Sequence, residues 1–198
     1  MNTITRKLKI LKERTIKKKI DIIKRKIGII KKRKVDKKID VFFEWVKGAE
    51  LIELKSCNVE DDPVRPELDI VFRRSYGRKI YGVKYKKEIC AIMCFGFTNE
   101  VPTTVKELDL MTRDAYLKSA QRDQNIGQIA IAYTVWSKKK GGGKLIVKEV
   151  FKMIKKSNHL NRLITLSPLT EMAQNFHLNN GALQLQVNEE TQNFEYKI

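Results

Sequence analysis

Apolar and polar positions follow two rhythms along this chain, and each change of rhythm marks an element. Ile16, Ile20, Ile23, Ile27 and Ile30 step by four and three, a helical stripe that Ile4, Leu8 and Leu11 extend toward the start with one break in register. A second helix is predicted over Lys37–Val46, carrying Phe42, Phe43 and Trp45. Gly48–Arg65 reads as a hinge with a strand at Leu51–Cys57. Pro66 suits the first turn of a helix that turns Leu68, Val71 and Phe72 inward. Lys79–Tyr85 and Ile89–Phe97 are β-branched and aromatic, and predict a hairpin turning at Lys86-Lys87-Glu88. Thr103–Arg122 returns to helical spacing through Val105, Leu108, Met111, Ala115 and Leu117. Gln128–Trp136 predicts a buried strand, and Leu145, Ile146, Val150, Met153 and Ile154 form the apolar stripe of the next helix. Arg162–Leu166 is a short strand. Thr170 is placed to cap a helix over Glu171–Leu178 that Gly181 stops. Leu183–Val187 and Asn193–Ile198 close the chain as a hairpin. This order predicts an α/β (α+β) fold, a mixed sheet with helices on both faces.

Between the strand ending at Trp136 and the helix starting near Leu145 stands Lys138-Lys139-Lys140-Gly141-Gly142-Gly143-Lys144. Contiguous glycines free the backbone, and the N–H groups and positive dipole end of the following helix favour an anion there. Four lysines add positive charge, so a phosphate or pyrophosphate is the expected guest. A Walker loop would place Ser or Thr after the Gly-Lys pair, where this chain has Leu145. A dinucleotide fold would space its glycines as G-x-G-x-x-G, which these are not.

Lys138-x-x-Gly141-x-Gly143 resembles the pyrophosphate loop of the GNAT superfamily of acyl-CoA-dependent N-acyltransferases, with Lys in place of the usual first Arg or Gln. Asn175-Phe176-His177-Leu178-Asn179-Asn180-Gly181 resembles that superfamily's later helix, and His177 stands at the position of its acidic tyrosine. A narrower resemblance overlies this one. Thr165-Leu-Ser-Pro168 and Asn175–Ala182 are similar to two signature segments of malonyl-CoA decarboxylase, whose serine and histidine fall on Ser167 and His177. Asn179 replaces that family's Arg, and a long insertion between the segments is missing.

The resemblance implies an acyl-CoA substrate, acetyl-CoA or another. Its pantetheine would lie along Thr134, Val135 and Trp136, and its pyrophosphate on Lys138, Lys139, Lys140, Gly141, Gly142, Gly143 and Lys144, with Asn175 beside it. Catalysis would fall to His177, protonating the departing thiolate, and to Ser167. The first reading is transfer of an acyl group to an unidentified amine within a ternary complex. The second is decarboxylation of malonyl-CoA. Read without the resemblance, Ser167-Pro168 is an ordinary turn and His177 a structural histidine, and no carboxylate is singled out as a base.

Composition leaves room for one enzyme domain and adds a second theme. Residues 1–40 hold 17 of the 41 Lys and Arg but only Glu13, Asp21, Asp36 and Asp40 of the 23 acids, so most of the net charge of +18 lies there. Three uses of this arm compete: nucleic acid, an anionic membrane surface, or packing and self-association through the Ile16–Ile30 stripe. If the fold served only to carry the arm, the chain would be a non-enzymatic nucleic-acid-binding protein. Domain limits of 1–47 and 48–198 follow. Three cysteines without C-x-x-C, two histidines and no long apolar run predict a reduced cytoplasmic protein with no metal site and no transmembrane helix. The Lys-, Ile- and Asn-rich usage points to an AT-rich genome such as that of a phage.

Overall fold

The computed structural model describes residues 45, 47–122 and 127–197. The predicted stripe Ile16–Ile30 and all but Trp45 of its second helix's aromatics lie outside them. The chain divides into two units after Gly48, and every element below belongs to the second.

In chain order these are β1 (Ala49–Leu54), a 3₁₀ turn (Val59–Asp61), α1 (Ile70–Arg74), β2 (Lys79–Tyr85), β3 (Glu88–Thr98), α2 (Val105–Arg122), β4 (Ile129–Ser137), α3 (Gly142–Lys155), β5 (Arg162–Thr165), β6 (Ser167–Pro168), α4 (Glu171–Asn179), β7 (Leu183–Val187) and β8 (Thr191–Tyr196). The eight strands form one sheet in the order β1-β2-β3-β4-β5-β8-β6, with β7 on β8. Its pairs are antiparallel except β4 with β5.

Most predicted elements stand within three residues of their expected limits. The helix predicted from Pro66 does not. The chain turns instead through residues 66–69, and the Asp69 carboxylate accepts from Phe72 N at 2.7 Å to start a helix of five residues. Val71, expected inside, is 70% exposed, because so short a helix buries one side and Phe72 occupies it. Phe72 meets Tyr133 edge-on with centroids 5.9 Å apart. The first strand is Ala49–Leu54 rather than Leu51–Cys57.

Helices cover both faces of the sheet. On β3, a Cβ at Gly96 would meet Thr112 and Leu108 of α2, whereas Ala91, of opposite parity, lies beside Gly142 of α3. The α2 face carries the core of Ile80, Ile92, Cys94, Leu108, Ile131 and Ile164. The other face takes the stripe of α3, with Leu145, Ile146, Val150 and Ile154 buried as predicted.

One irregularity prepares the site. Cys94 pairs with Thr134 but Phe95 pairs with Ala132, so Tyr133 is an extra residue in β4, a β-bulge. The bulge shifts the alternation of β4 by one. Ile129 and Ile131 lie opposite Thr98 and Gly96, yet beyond the bulge Thr134 and Trp136 lie opposite Cys94 and Ile92, on the same face. Just there β5 leaves β4, whose parallel pairing with it stops at Ala132–Thr165.

Candidate active site

Past the bulge, Tyr133–Ser137 of β4 no longer pairs with β5, and the two strands diverge around a cavity of about 430 Å³. Gly143 and Val147 of α3, Ala173 and Phe176 of α4, Leu163 and Pro168 close it. The lining is mainly apolar, with polar groups at its two ends.

At the outer end stands the start of α3. Gly141 has φ +83°, the left-handed region, and caps the helix without a side chain. A Cβ on Gly142 would meet Ser137 Cβ at 2.9 Å and Cys90 O at 3.1 Å, and one on Gly143 would press to 3.0 Å from the Phe176 ring. These glycines therefore let the first turn of α3 approach β3, β4 and α4.

The lysines of the loop divide. The Lys138 ammonium pairs with Asp61, and both residues line the cavity. Lys139 lies over the Tyr85 ring at 4.4 Å, toward β2. Lys140 is exposed, and Lys144 lines a neighbouring cavity of about 300 Å³ with Lys148, Phe151 and Lys197.

At the inner end is a chain of side-chain hydrogen bonds. Ser167 Oγ lies 2.9 Å from His177 Nε2, His177 Nδ1 lies 2.9 Å from the Tyr196 hydroxyl, and Ser167 Oγ donates to Thr165 Oγ1 at 3.0 Å. Phe194 N donates to the same Thr165 oxygen at 3.2 Å. His177 is 4% exposed, stacks on Phe194 at 5.0 Å and meets Phe176 edge-on. Burial lowers its pKa to about 4, so it is neutral at pH 7. Burial also raises the pKa of Tyr196, which keeps its proton. His177 is thus a neutral imidazole holding one N–H.

The structure brings Ser167, His177, Val135, Trp136, Lys138 and Gly143 around this one cavity, along with Thr134. The Thr134 hydroxyl points elsewhere, donating to the carboxylate of Asp62 at 2.8 Å. Asn175 lies apart: it is exposed and its amide reaches Glu171 at 3.4 Å. Asp62, almost fully buried, also pairs with Arg73 at 2.8 Å and accepts from Val64 N and Arg65 N. Sequence reading had no means of finding Tyr196, Arg65 or Asp62. Tyr196 is one strand residue among several, and the two others lie in a stretch read as hinge.

No protein family's sequence profile matches this chain, and no curated protein sequence matches it significantly. Solved structures do. The GNAT-like decarboxylase GphF in complex with isobutyryl-CoA is similar over 75% of this chain and 98% of its own, at 9% identity and a TM-score of 0.58. A Bacillus subtilis acetyltransferase in complex with CoA is similar over 76% of this chain and 97% of its own, at 14% identity and a TM-score of 0.51. Malonyl-CoA decarboxylase from Cupriavidus metallidurans gives 20% identity and a TM-score of 0.45 over 69% of this chain, which spans 36% of that protein. The fold is that of the GNAT acyltransferases.

Proposed function

We propose that this chain binds an acyl-CoA between β4 and β5 and decarboxylates a malonyl-type acyl group with Ser167 and His177. The observation that carries this reading is the 2.9 Å Ser167–His177 hydrogen bond at the inner end of an apolar cavity whose mouth is the glycine start of α3. The pyrophosphate would lie on the N–H groups of that first turn, with Lys138 and Lys144 beside it, and the acyl group would point inward along Val135 toward Ser167.

A neutral, buried imidazole is a poor proton shuttle and a good fixed donor. With Tyr196 O–H donating to Nδ1, the single imidazole proton stays on Nε2 and faces Ser167. Ser167 Oγ then accepts from Nε2 and turns its own hydrogen to the thioester oxygen. Breaking the bond between the α-carbon and the carboxylate releases CO₂. The electron pair passes into the thioester as an enolate, whose oxygen takes the Ser167 hydrogen bond. The α-carbon then takes one proton from a solvent water, whose hydroxide combines with the released CO₂ as bicarbonate, leaving the shortened acyl-CoA. An apolar cavity favours this step because the carboxylate loses charge as it leaves. No base is required. Among the described residues the cavity has one lining carboxylate, Asp61, and Lys138 holds it.

That pair also favours a second reading, acyl transfer to an amine. If Lys138 turned to the pyrophosphate, Asp61 would be released at the cavity wall as a base.

The test is incubation with malonyl-CoA without an acceptor, and with acetyl-CoA plus a panel of amines. CO₂ release without acceptor is the expected result. Ser167→Ala should lower it about 10²–10³-fold, the usual effect of losing one oxyanion donor, while calorimetric binding persists. Gly143→Glu should abolish binding, since it sets a carboxylate at the phosphate position and crowds Phe176. Amine-dependent CoA release with no CO₂ would establish the second reading. Absence of acyl-CoA binding to the folded protein would overturn both.

A further inference from the structure

Where β4 and β5 part, two backbone carbonyls lose the partners a continuous sheet would give them. The last bond across the strands is Leu166 N to Ala132 O at 2.9 Å. In an uninterrupted parallel ladder the Leu166 carbonyl would next accept from β4, and the Tyr133 carbonyl belongs to the bulge. One guanidinium serves both: Arg65 Nε donates to Tyr133 O at 3.0 Å and Nη2 to Leu166 O at 3.3 Å. Arg65 is buried, and its backbone is held in turn. Its N–H donates to Asp62 at 3.2 Å and its C=O accepts from Arg73 Nη2 at 2.7 Å. A planar fork of donors fixed at both ends acts as a spacer. It satisfies two carbonyls without letting the strands close.

The same residue lies in a wall. Val64 lines the thioester cavity, Arg65 lines a second cavity of about 390 Å³, and Pro168 lines both. The second cavity is bounded also by Lys106, Glu190 and Thr191. We infer that Arg65 is a positioning residue that both sets the splay of β4 and β5 and seals the thioester cavity from the second cavity. Acyl-CoA and water then cannot reach Ser167 by way of the second cavity. This rests on acyl-CoA occupying the first cavity, as proposed above. It adds that the reactive end is closed to an acceptor approaching from the far side.

Acrylamide quenching of Trp136, which lines the thioester cavity, tests the seal independently of any reaction. Trp45→Phe makes Trp136 the sole tryptophan. With saturating CoA blocking the glycine-loop side, quenching should be slight in the Arg65 protein and at least threefold greater in Arg65→Ala. About 10 mM guanidinium ion should restore protection to Arg65→Ala, and ammonium should not. Arg65→Lys, which can serve one carbonyl but not both, should lie between and decides the matter if the alanine variant does not fold. Equal quenching in the folded variants, or rescue by both cations alike, would overturn the inference. If CoA does not bind, the acyl-CoA reading fails, and the same comparison without CoA still reports the seal. Free CoA released from malonyl-CoA in the presence of glycinamide should likewise rise at least tenfold relative to CO₂ in Arg65→Ala.

Discussion

His177 shows how one residue's surroundings set its chemistry. Its pKa falls from 6.5 to about 4 because burial disfavours the imidazolium. Between those values the unfolded chain binds a proton that the folded chain refuses, so stability is full above pH 6.5 and declines as pH falls toward 4. The loss should reach about 3 kcal/mol at one site, by the usual 1.36 kcal/mol per pKa unit. Thermal melts at pH 7 and 4.5 should show it, and His177→Gln should abolish that share of the difference. Cys57 is shifted in a different way. A hydrogen bond from Cys94, with Arg73 nearby, lowers its pKa to about 7, while burial raises that of Cys94. Iodoacetamide should therefore label Cys57 well before Cys90 or Cys94, with a rate that climbs through pH 7. Uniform labelling of all three thiols would contradict this.

Elements here are made by their ends as much as by their stripes. Helix α4 begins where Thr170 Oγ1 accepts from Ala173 N at 3.3 Å, and it is this helix that carries His177. Thr170→Ala should cost about 1 kcal/mol in chemical denaturation, the usual value of an N-cap. Helix α3 begins on a left-handed glycine, so Gly141→Ala should cost about 1–2 kcal/mol and weaken acyl-CoA binding by tilting the first turn. A stability unchanged within 0.3 kcal/mol would sink that account of the loop. Both ends were legible in the sequence, because caps and left-handed turns draw on few residue types. The five-residue α1 was not. Its start depends on Asp69 reaching Phe72 N, a local choice that competes with continuation from Pro66.

Across the whole molecule, charge and cleft point the same way. Lys138, Lys144, Lys148 and Lys197 stand around the outer end of the cavity between β4 and β5 and the one beside it. Acyl-CoA affinity should fall steadily as salt rises from 50 to 500 mM, whereas the apolar inner end should keep acyl-chain selectivity unchanged. Residues 1–40 hold the greater charge and lie outside the described residues. If they engage nucleic acid, duplex binding will weaken steeply with salt and vanish on their removal, while acyl-CoA binding remains.

The order of strands and helices, the glycine loop and the cap at Thr170 were determined by the sequence itself, whereas Ser167 and His177 stood out in it only through the family resemblance. Periodicity, turn chemistry and short motifs are local, and a local pattern is written in consecutive residues. What the tertiary structure alone decided is which distant groups meet. The bulge at Tyr133 opens the cleft. Tyr196 reaches His177 from 19 residues away, and Arg65 reaches Tyr133 and Leu166 from 68 and 101. Each contact depends on the register of strands packed side by side, so no window of sequence contains it.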